Sequence, residues 1–374
     1  MSEASGIKKV GFADCKGGGQ IVVDGDTAYV AHVEGPEATT ILDVKDPKNP
    51  IIIKTLNTAH SGSHSHKVRV GNGIMMTNYE VDPQGGGPGE GFRGGLNIFD
   101  LSDPHDPQPI HFWDTEGSGI HRFTFDGRYA YISPTVEGYS GRICMILDMK
   151  DPKNPQEVGR WWMPGQWRAG GETSDLPDKH TMCHHPLRMG DRLYVSYWHA
   201  GWAILDISDM TKPTLISRMD TSPPFPCPCH SLLPIPFEIM GRKIMLVADE
   251  DVFKLDPDAT PAFLWVVDIT DEANPMPFGN FQAEGAKVAR GSARVGCHQP
   301  VEHVRGTDIP TAWFACGLQV VDISDPFNLK AAAYFIPDVP QGSKEVVSND
   351  VFEDDRGLIY LLDRYRGLNI LERG

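Results

Sequence analysis

Three observations in the amino-acid sequence predict an all-β fold, a seven-bladed β-propeller. An apolar run ending in an acidic residue recurs seven times. A short turn rich in Asp and Pro follows most copies. A hairpin with Gly or Asp at its tip precedes most of them.

The copies run in order along the chain. Ile41-Leu42-Asp43 is followed by Asp46-Pro47 and Pro50, and Ile98-Phe99-Asp100 by Asp103-Pro104 and Pro107. Ile146-Leu147-Asp148 is followed by Asp151-Pro152 and Pro155, and Ile204-Leu205-Asp206 by Asp209 and Pro213. Val266-Val267-Asp268 is followed by Asp271 and Pro275, and Val320-Val321-Asp322 by Asp325-Pro326. The seventh copy is Ile370-Leu371-Glu372, at the end of the chain. The spacing of 48 to 62 residues suits one four-stranded blade per copy. The apolar run reads as a buried strand. Pro stops it because it cannot donate to a ladder, and Asp caps the turn with its side chain. Upstream hairpin tips are Asp24-Gly25-Asp26, Gly71-Asn72-Gly73, Asp126-Gly127, Gly190-Asp191 and Asp354-Asp355-Arg356-Gly357. Each repeat therefore reads strand A, hairpin, strand B, loop, strand C (the apolar run), turn, strand D.

The last repeat lacks its own strand D. Lys9-Val10-Gly11-Phe12-Ala13-Asp14 resembles the strand D of the third repeat, Glu157-Val158-Gly159-Arg160-Trp161-Trp162. Residues 7–13 are thus expected to close the ring as the outer strand of the last blade, leaving no unpaired edge there. The whole chain, residues 1–374, is expected to be one propeller domain.

Composition narrows the function classes. The chain is 40% hydrophobic and 22% charged, with 39 Gly and 30 Pro, as expected for a soluble protein with many tight turns. No apolar run approaches the ~20 residues that span a bilayer. The start, Met1-Ser2-Glu3-Ala4-Ser5, carries no export signal. The seven cysteines (15, 144, 183, 227, 229, 297 and 316) have no framework spacing and read as thiols of a reducing compartment. A net charge of −16 argues against nucleic acid. These features predict a cytoplasmic protein, a monomer or small homo-oligomer, with a small-molecule substrate and neither a membrane nor a nucleic-acid partner.

The histidines carry the functional signal. His66, His121 and His185 each lie five residues before a hairpin tip, at Gly71, Asp126 and Gly190. His230 and His298 open the fifth and sixth strands A. The same slot holds Gln20 in the first repeat and Asn349 or Asp350 in the seventh. Strand A lines the axis of a propeller, so five consecutive blades would point imidazoles at one place. Rigid strands fixing convergent imidazoles suit a divalent transition metal: iron, copper, zinc or manganese. The predicted ligands are His66, His121, His185, His230 and His298, with His184 replacing His185 if the register slips. In Cys183-His184-His185, Cys229-His230 and Cys297-His298 the cysteine is expected to face the blade packing, since neighbours on a strand point opposite ways. His60, His64 and His180 lie in loops on the same face and rank below the ring.

Long loops on that face supply the remaining candidates. Glu80, Tyr139, Arg142 and His199 are the predicted catalytic groups. Glu80 or a remaining His is expected to serve as general base, and the Arg, Tyr and neighbouring Trp side chains to receive a small aromatic or anionic molecule. The segment from Trp161 to His180, mixing aromatics with charge, reads as a lid.

The strand-C signature resembles the LVIVD repeat. A propeller with axial His66, His121, His185, His230 and His298 also resembles two enzyme families. One is the selenium-binding protein and methanethiol oxidase family, whose metal-bound His implies copper for the oxidase. The other is the carotenoid cleavage oxygenases, seven-bladed propellers with four His on Fe(II). The resemblance implies a metal-dependent oxidase or oxygenase. The residues leave two alternatives open: a metal-dependent lyase, hydratase or hydrolase, and a non-enzymatic interaction scaffold.

Overall fold

The computed structural model describes residues 2–58, 62–81, 87–88, 90–115, 117–176, 181–222, 224–252, 260–284, 294–339, 342 and 345–374. Their named elements are all β-strands, in seven sheets, one per sequence repeat. The fold is the seven-bladed β-propeller that the repeats predict. No helix among the described residues is long and apolar enough to cross a membrane.

The four-strand reading holds through the chain. Blade three, for example, runs Ile120–Phe125, Tyr129–Pro134, Cys144–Asp148 and Gln156–Trp161, each antiparallel to the next. Blade four runs Pro186–Met189, Arg192–Ser196, Trp202–Asp206 and Thr214–Met219. In blade two the long strand B, Ile74–Val81, carries two short partners in place of one strand A, Ser63–His64 and Val68–Gly71. Strand C is buried nearly throughout, which is why it is an unbroken apolar run in the sequence.

The Asp-rich turns cap themselves as expected. Asp100, Asp148, Asp206, Asp268 and Asp322 each accept the backbone N–H two residues on, at 2.7–2.9 Å. Asp103, Asp151, Asp209, Asp271 and Asp325 do the same one turn later, at 2.9–3.1 Å. Strand D carries a bulge at a fixed place opposite strand C. The register shifts at Ile98/Phe99, Ile146/Leu147, Ile204/Leu205, Val266/Val267 and Val320/Val321. A bulge at that place strengthens the twist of each blade.

The closure falls where the sequence puts it. Ile7–Ala13 pairs antiparallel with Gly367–Arg373, from Ile7 opposite Arg373 to Ala13 opposite Leu368. It too has a bulge, between Lys9 and Gly11. A side chain at Gly11 would meet the Pro47 carbonyl at 1.9 Å, so only glycine fits there. One further strand was not foreseen. Glu3–Ser5 adds to Lys330–Ile336 as a fifth strand of blade six.

The chain contains two compact units. Unit I holds Met1–Asp26, Val44–Ile51 and Thr221–Gly374, and unit II holds Thr27–Asp43 and Ile52–Asp220.

Candidate metal centre

In unit II the segments that open blades two, three and four set three histidines side by side. The His66 and His121 rings lie 4.8 Å apart, and those of His121 and His184 lie 4.7 Å apart. One local device fixes all three. A polar side chain on strand B accepts the backbone N–H of the residue after the histidine. Asn78 Oδ1 accepts from Lys67 at 2.7 Å, Ser133 Oγ from Arg122 at 2.9 Å, and Ser196 Oγ from His185 at 2.9 Å. Each of these pairs spans 11 residues. The equivalent residues are therefore His66, His121 and His184. This corrects His185, which aligns with Lys67 and Arg122. The hairpin glycine Gly190 aligns with Gly127 and not with Asp126, so five residues before it lies one position past the histidine slot.

Glu80, on strand B of blade two, organises the group. Its Oε1 accepts from His64 Nε2 at 2.8 Å and from His121 Nδ1 at 2.7 Å. Arg142 Nη1 stands 3.9 Å from its other oxygen. The approach of Glu80 to His121 depends on Gly119, whose φ is +105°. A Cβ there would meet the Tyr79 carbonyl at 2.1 Å, and Gly119 bridges to Glu80 across the blades. With its Nδ1 proton given to Glu80, a neutral His121 turns the lone pair of Nε2 toward His184 Nε2, 3.0 Å away. His64, which ranked below the ring in the sequence, is a full member. It is buried and its ring lies 4.4 Å from that of His66.

Burial dominates the electrostatics. It pushes His66, His121 and His184 well below the usual histidine range. Nearby cationic groups add to this: His64 and Lys67 at His66, and Arg142 and Lys67 at His121. Burial pushes the Glu80 carboxyl up, but the His64 hydrogen bond and the surrounding charges outweigh it, and Glu80 sits below its ordinary value. The result is a carboxylate beside three imidazoles, His66, His121 and His184, that burial holds toward the neutral form a transition metal requires.

The donors fit such an ion. One ligand atom each from His64, His66 and Glu80 falls within a 4.8 Å set. His66 Nε2 is buried with no hydrogen-bond partner among the described residues, and a buried polar atom in that condition calls for a ligand or ion.

Unit I holds a second His and Glu group. His230 and His298 have ring centroids 4.2 Å apart, and Glu250 stands beside both. Counted from the paired residues Ser231 and Ala248, Glu250 occupies in blade five the slot that Glu80 fills in blade two.

The same slot holds Trp198 in blade four and Phe314 in blade six, and sequence reasoning did not foresee their form. Trp198 has φ +55° and Phe314 has φ +32°, in the left-handed region. Each lies against the histidine of its own blade: Trp198 on His184 with centroids 4.7 Å apart, Phe314 on His298 at 4.5 Å. Both begin a tight turn closed by a glycine N–H, Gly201 to the Trp198 carbonyl and Gly317 to the Phe314 carbonyl. The available signal was an aromatic three residues before the glycine that opens strand C.

The other predicted catalytic groups are spread out. Arg142 is with Glu80. Tyr139 packs edge-on against Trp162, centroids 5.2 Å apart, in the segment that Glu172 holds through Trp162, Gly165 and Trp167. His199 meets Trp198 edge-on, with centroids 6.1 Å apart. His60 and His180 lie outside the described residues. All seven cysteines are free and buried, and Cys183 lies in the apolar core of blades three and four.

Comparison with known proteins agrees with this architecture. The LVIVD repeat model matches residues 18–58, 189–221 and 312–332. The chain carries LVIVD repeats. No curated protein matches it in sequence. Among solved structures it is similar to the WD40 β-propeller domain of Doa1, at 8% identity and TM-score 0.60, covering 98% of this chain and 97% of that one. It is also similar to Sqt1 of Saccharomyces cerevisiae, at 8% identity and TM-score 0.53, covering 96% and 86%. At such identities the likeness concerns fold alone. None of these matches names a selenium-binding protein or an oxygenase, so that likeness rests on architecture and histidines.

Proposed function

We propose that the chain is a metal-dependent enzyme, most simply an oxidase or oxygenase acting on a small anionic or aromatic molecule. The observation that carries this reading is the buried His64, His66 and Glu80 group, in which His66 Nε2 has no hydrogen-bond partner among the described residues. His64, His66 and Glu80 would hold the ion, with His121 and His184 beside them. A bound iron or copper would supply redox chemistry, and zinc or manganese would supply Lewis-acid chemistry instead. Glu80 orients His121 through Nδ1 and so decides which nitrogen His121 presents. Arg142 brings a positive charge to the same carboxylate. The flat face of Trp198 on His184 offers an aromatic wall.

The test is elemental analysis of untagged protein purified without chelator. Near-stoichiometric iron or copper, lost in His66→Ala and in Glu80→Gln, is the expected result and leads to oxygen-consumption assays. Zinc or manganese would move the assignment to a lyase, hydratase or hydrolase. No metal, with both variants folding as well as wild type, would overturn the enzyme reading in favour of an interaction scaffold.

A further inference from the structure

Two arginines of unit I converge on one aromatic ring. The guanidinium carbon of Arg294 lies 5.4 Å from the Phe314 ring centroid, and that of Arg364 lies 5.9 Å from it. The ring itself is buried and also meets His298. Backbone bonds hold both arginines in place. The Arg294 carbonyl accepts from the Ala315 N–H at 3.0 Å, and the Arg364 carbonyl accepts from the Gly17 N–H at 2.6 Å. Arg364 stands three residues before Gly367, the slot that Phe314 fills before Gly317. Its Nε donates to Asn349 Oδ1 at 2.7 Å, which orients the guanidinium plane.

Charge is what makes this arrangement unusual. A guanidinium is always charged in a protein. An aromatic face attracts one such cation, but a second brings a like charge to the same place. Elsewhere in unit I the arginines are neutralised: Arg242, Arg305, Arg356, Arg366 and Arg373 each pair with an aspartate or glutamate. Arg294 forms no such pair among the described residues, in a chain with 50 acidic residues. Asp251 lies close along its segment, but its oxygens are turned to Cys227 and to the N–H groups of Ala262, Val295 and Gly296. The Asn349 amide that orients Arg364 is neutral. Both arginines are only partly buried, so a dissolved molecule can reach them. A guanidinium fork fits two oxygens of a carboxylate or phosphate.

We propose that Arg294 and Arg364 form a clamp for the carboxylate or phosphate group of a small molecule. This goes beyond the function proposed above, whose residues all belong to unit II.

Inorganic phosphate and malonate are the probes, each titrated calorimetrically into the purified protein at low salt. Wild type is expected to bind one equivalent of at least one of them, and the one that binds tells phosphate from carboxylate. Arg294→Gln and Arg364→Gln should each weaken that binding at least ~10-fold, because a charged hydrogen-bonded contact is lost. Glu80→Gln should leave it unchanged. The Arg294 side chain packs on Phe314 and hydrogen-bonds no described residue, so Arg294→Gln is expected to fold, and circular dichroism melting checks each variant. Should Arg364→Gln fail to fold, Arg294→Gln carries the test alone. Equal binding by wild type and Arg294→Gln would mean an adventitious ion only and overturn the clamp. Binding lost in Glu80→Gln and kept in Arg294→Gln would put the anion at the Glu80 group, overturning the clamp and supporting the proposed function. No binding of either probe would overturn the clamp and leave the proposed function standing.

Discussion

At the residue scale, the aromatic side chains beside the histidines are bought with backbone strain. A bulky residue at positive φ costs of order 1–3 kcal/mol, and Trp198 and Phe314 both sit there. Replacing Trp198 by Ala removes the contact with His184 and keeps the strain. Replacing it by Gly removes both. Trp198→Gly should therefore be more stable than Trp198→Ala by about 1 kcal/mol, measured by urea denaturation. Equal stability, or the reverse order, would show that the turn is unstrained. The histidines were legible in the sequence as a repeated residue type, but which of His184 and His185 belongs to the row was not. Strand A is bulged at this slot in several blades: the register shifts between Ile120 and Phe123 around His121, between Cys229 and Ser231 around His230, and between Ser348 and Asp350 around Asn349. Counting by twos cannot cross a bulge. Glu80 was legible as a loop carboxylate, whereas its hold on His64 and His121 depends on contacts between distant segments.

At the element scale, the A–B hairpin of blade three is tied to blade four by one carboxylate. Asp126 Oδ2 accepts from Arg188 at 2.8 Å and from the Tyr131 hydroxyl at 3.0 Å, and Oδ1 caps the N–H groups of Arg128 and Tyr129. Burial pushes the Asp126 carboxyl up, but these four donors outweigh it and hold it below its usual value. A depressed folded-state value makes a stabilising contribution that is complete above the unfolded carboxylate range, near pH 4. It is lost as pH falls through the folded value. Asp126→Asn should thus destabilise the protein at pH 7 by roughly 1–2 kcal/mol, with the difference shrinking below pH 4. Denaturant melts across that range would show it. A difference that stayed constant with pH would mean that charge plays no part. The Asp-capped turns that punctuate the chain were fully legible, because Asp and Pro act through their nearest neighbours.

At the scale of the whole molecule, the blade count and the closure could be read from the repeats alone, because each blade repeats one local pattern. The extra strand Glu3–Ser5 could not, since its three exposed residues carry no periodic signal. Deleting residues 2–13 should lower the melting temperature by at least ~5 °C, since it exposes the Gly367–Arg373 edge and removes the buried side chains of Ile7 and Ala13. Scanning calorimetry would measure this. An unchanged transition would show that the last blade holds without its fourth strand.

The seam also sets an order in time. Lys8 and Glu372, joined at 2.9 Å, are 364 positions apart, whereas the hairpins within each blade join near neighbours. Local hairpins form in microseconds, and contacts between distant segments come later. During synthesis Ile7–Ala13 must wait, unpaired, until Gly367–Arg373 emerges. Refolding should accordingly show an early phase for the blades and a late one for this single closure. Amides of Ile7–Ala13 should be the last to gain protection from hydrogen exchange.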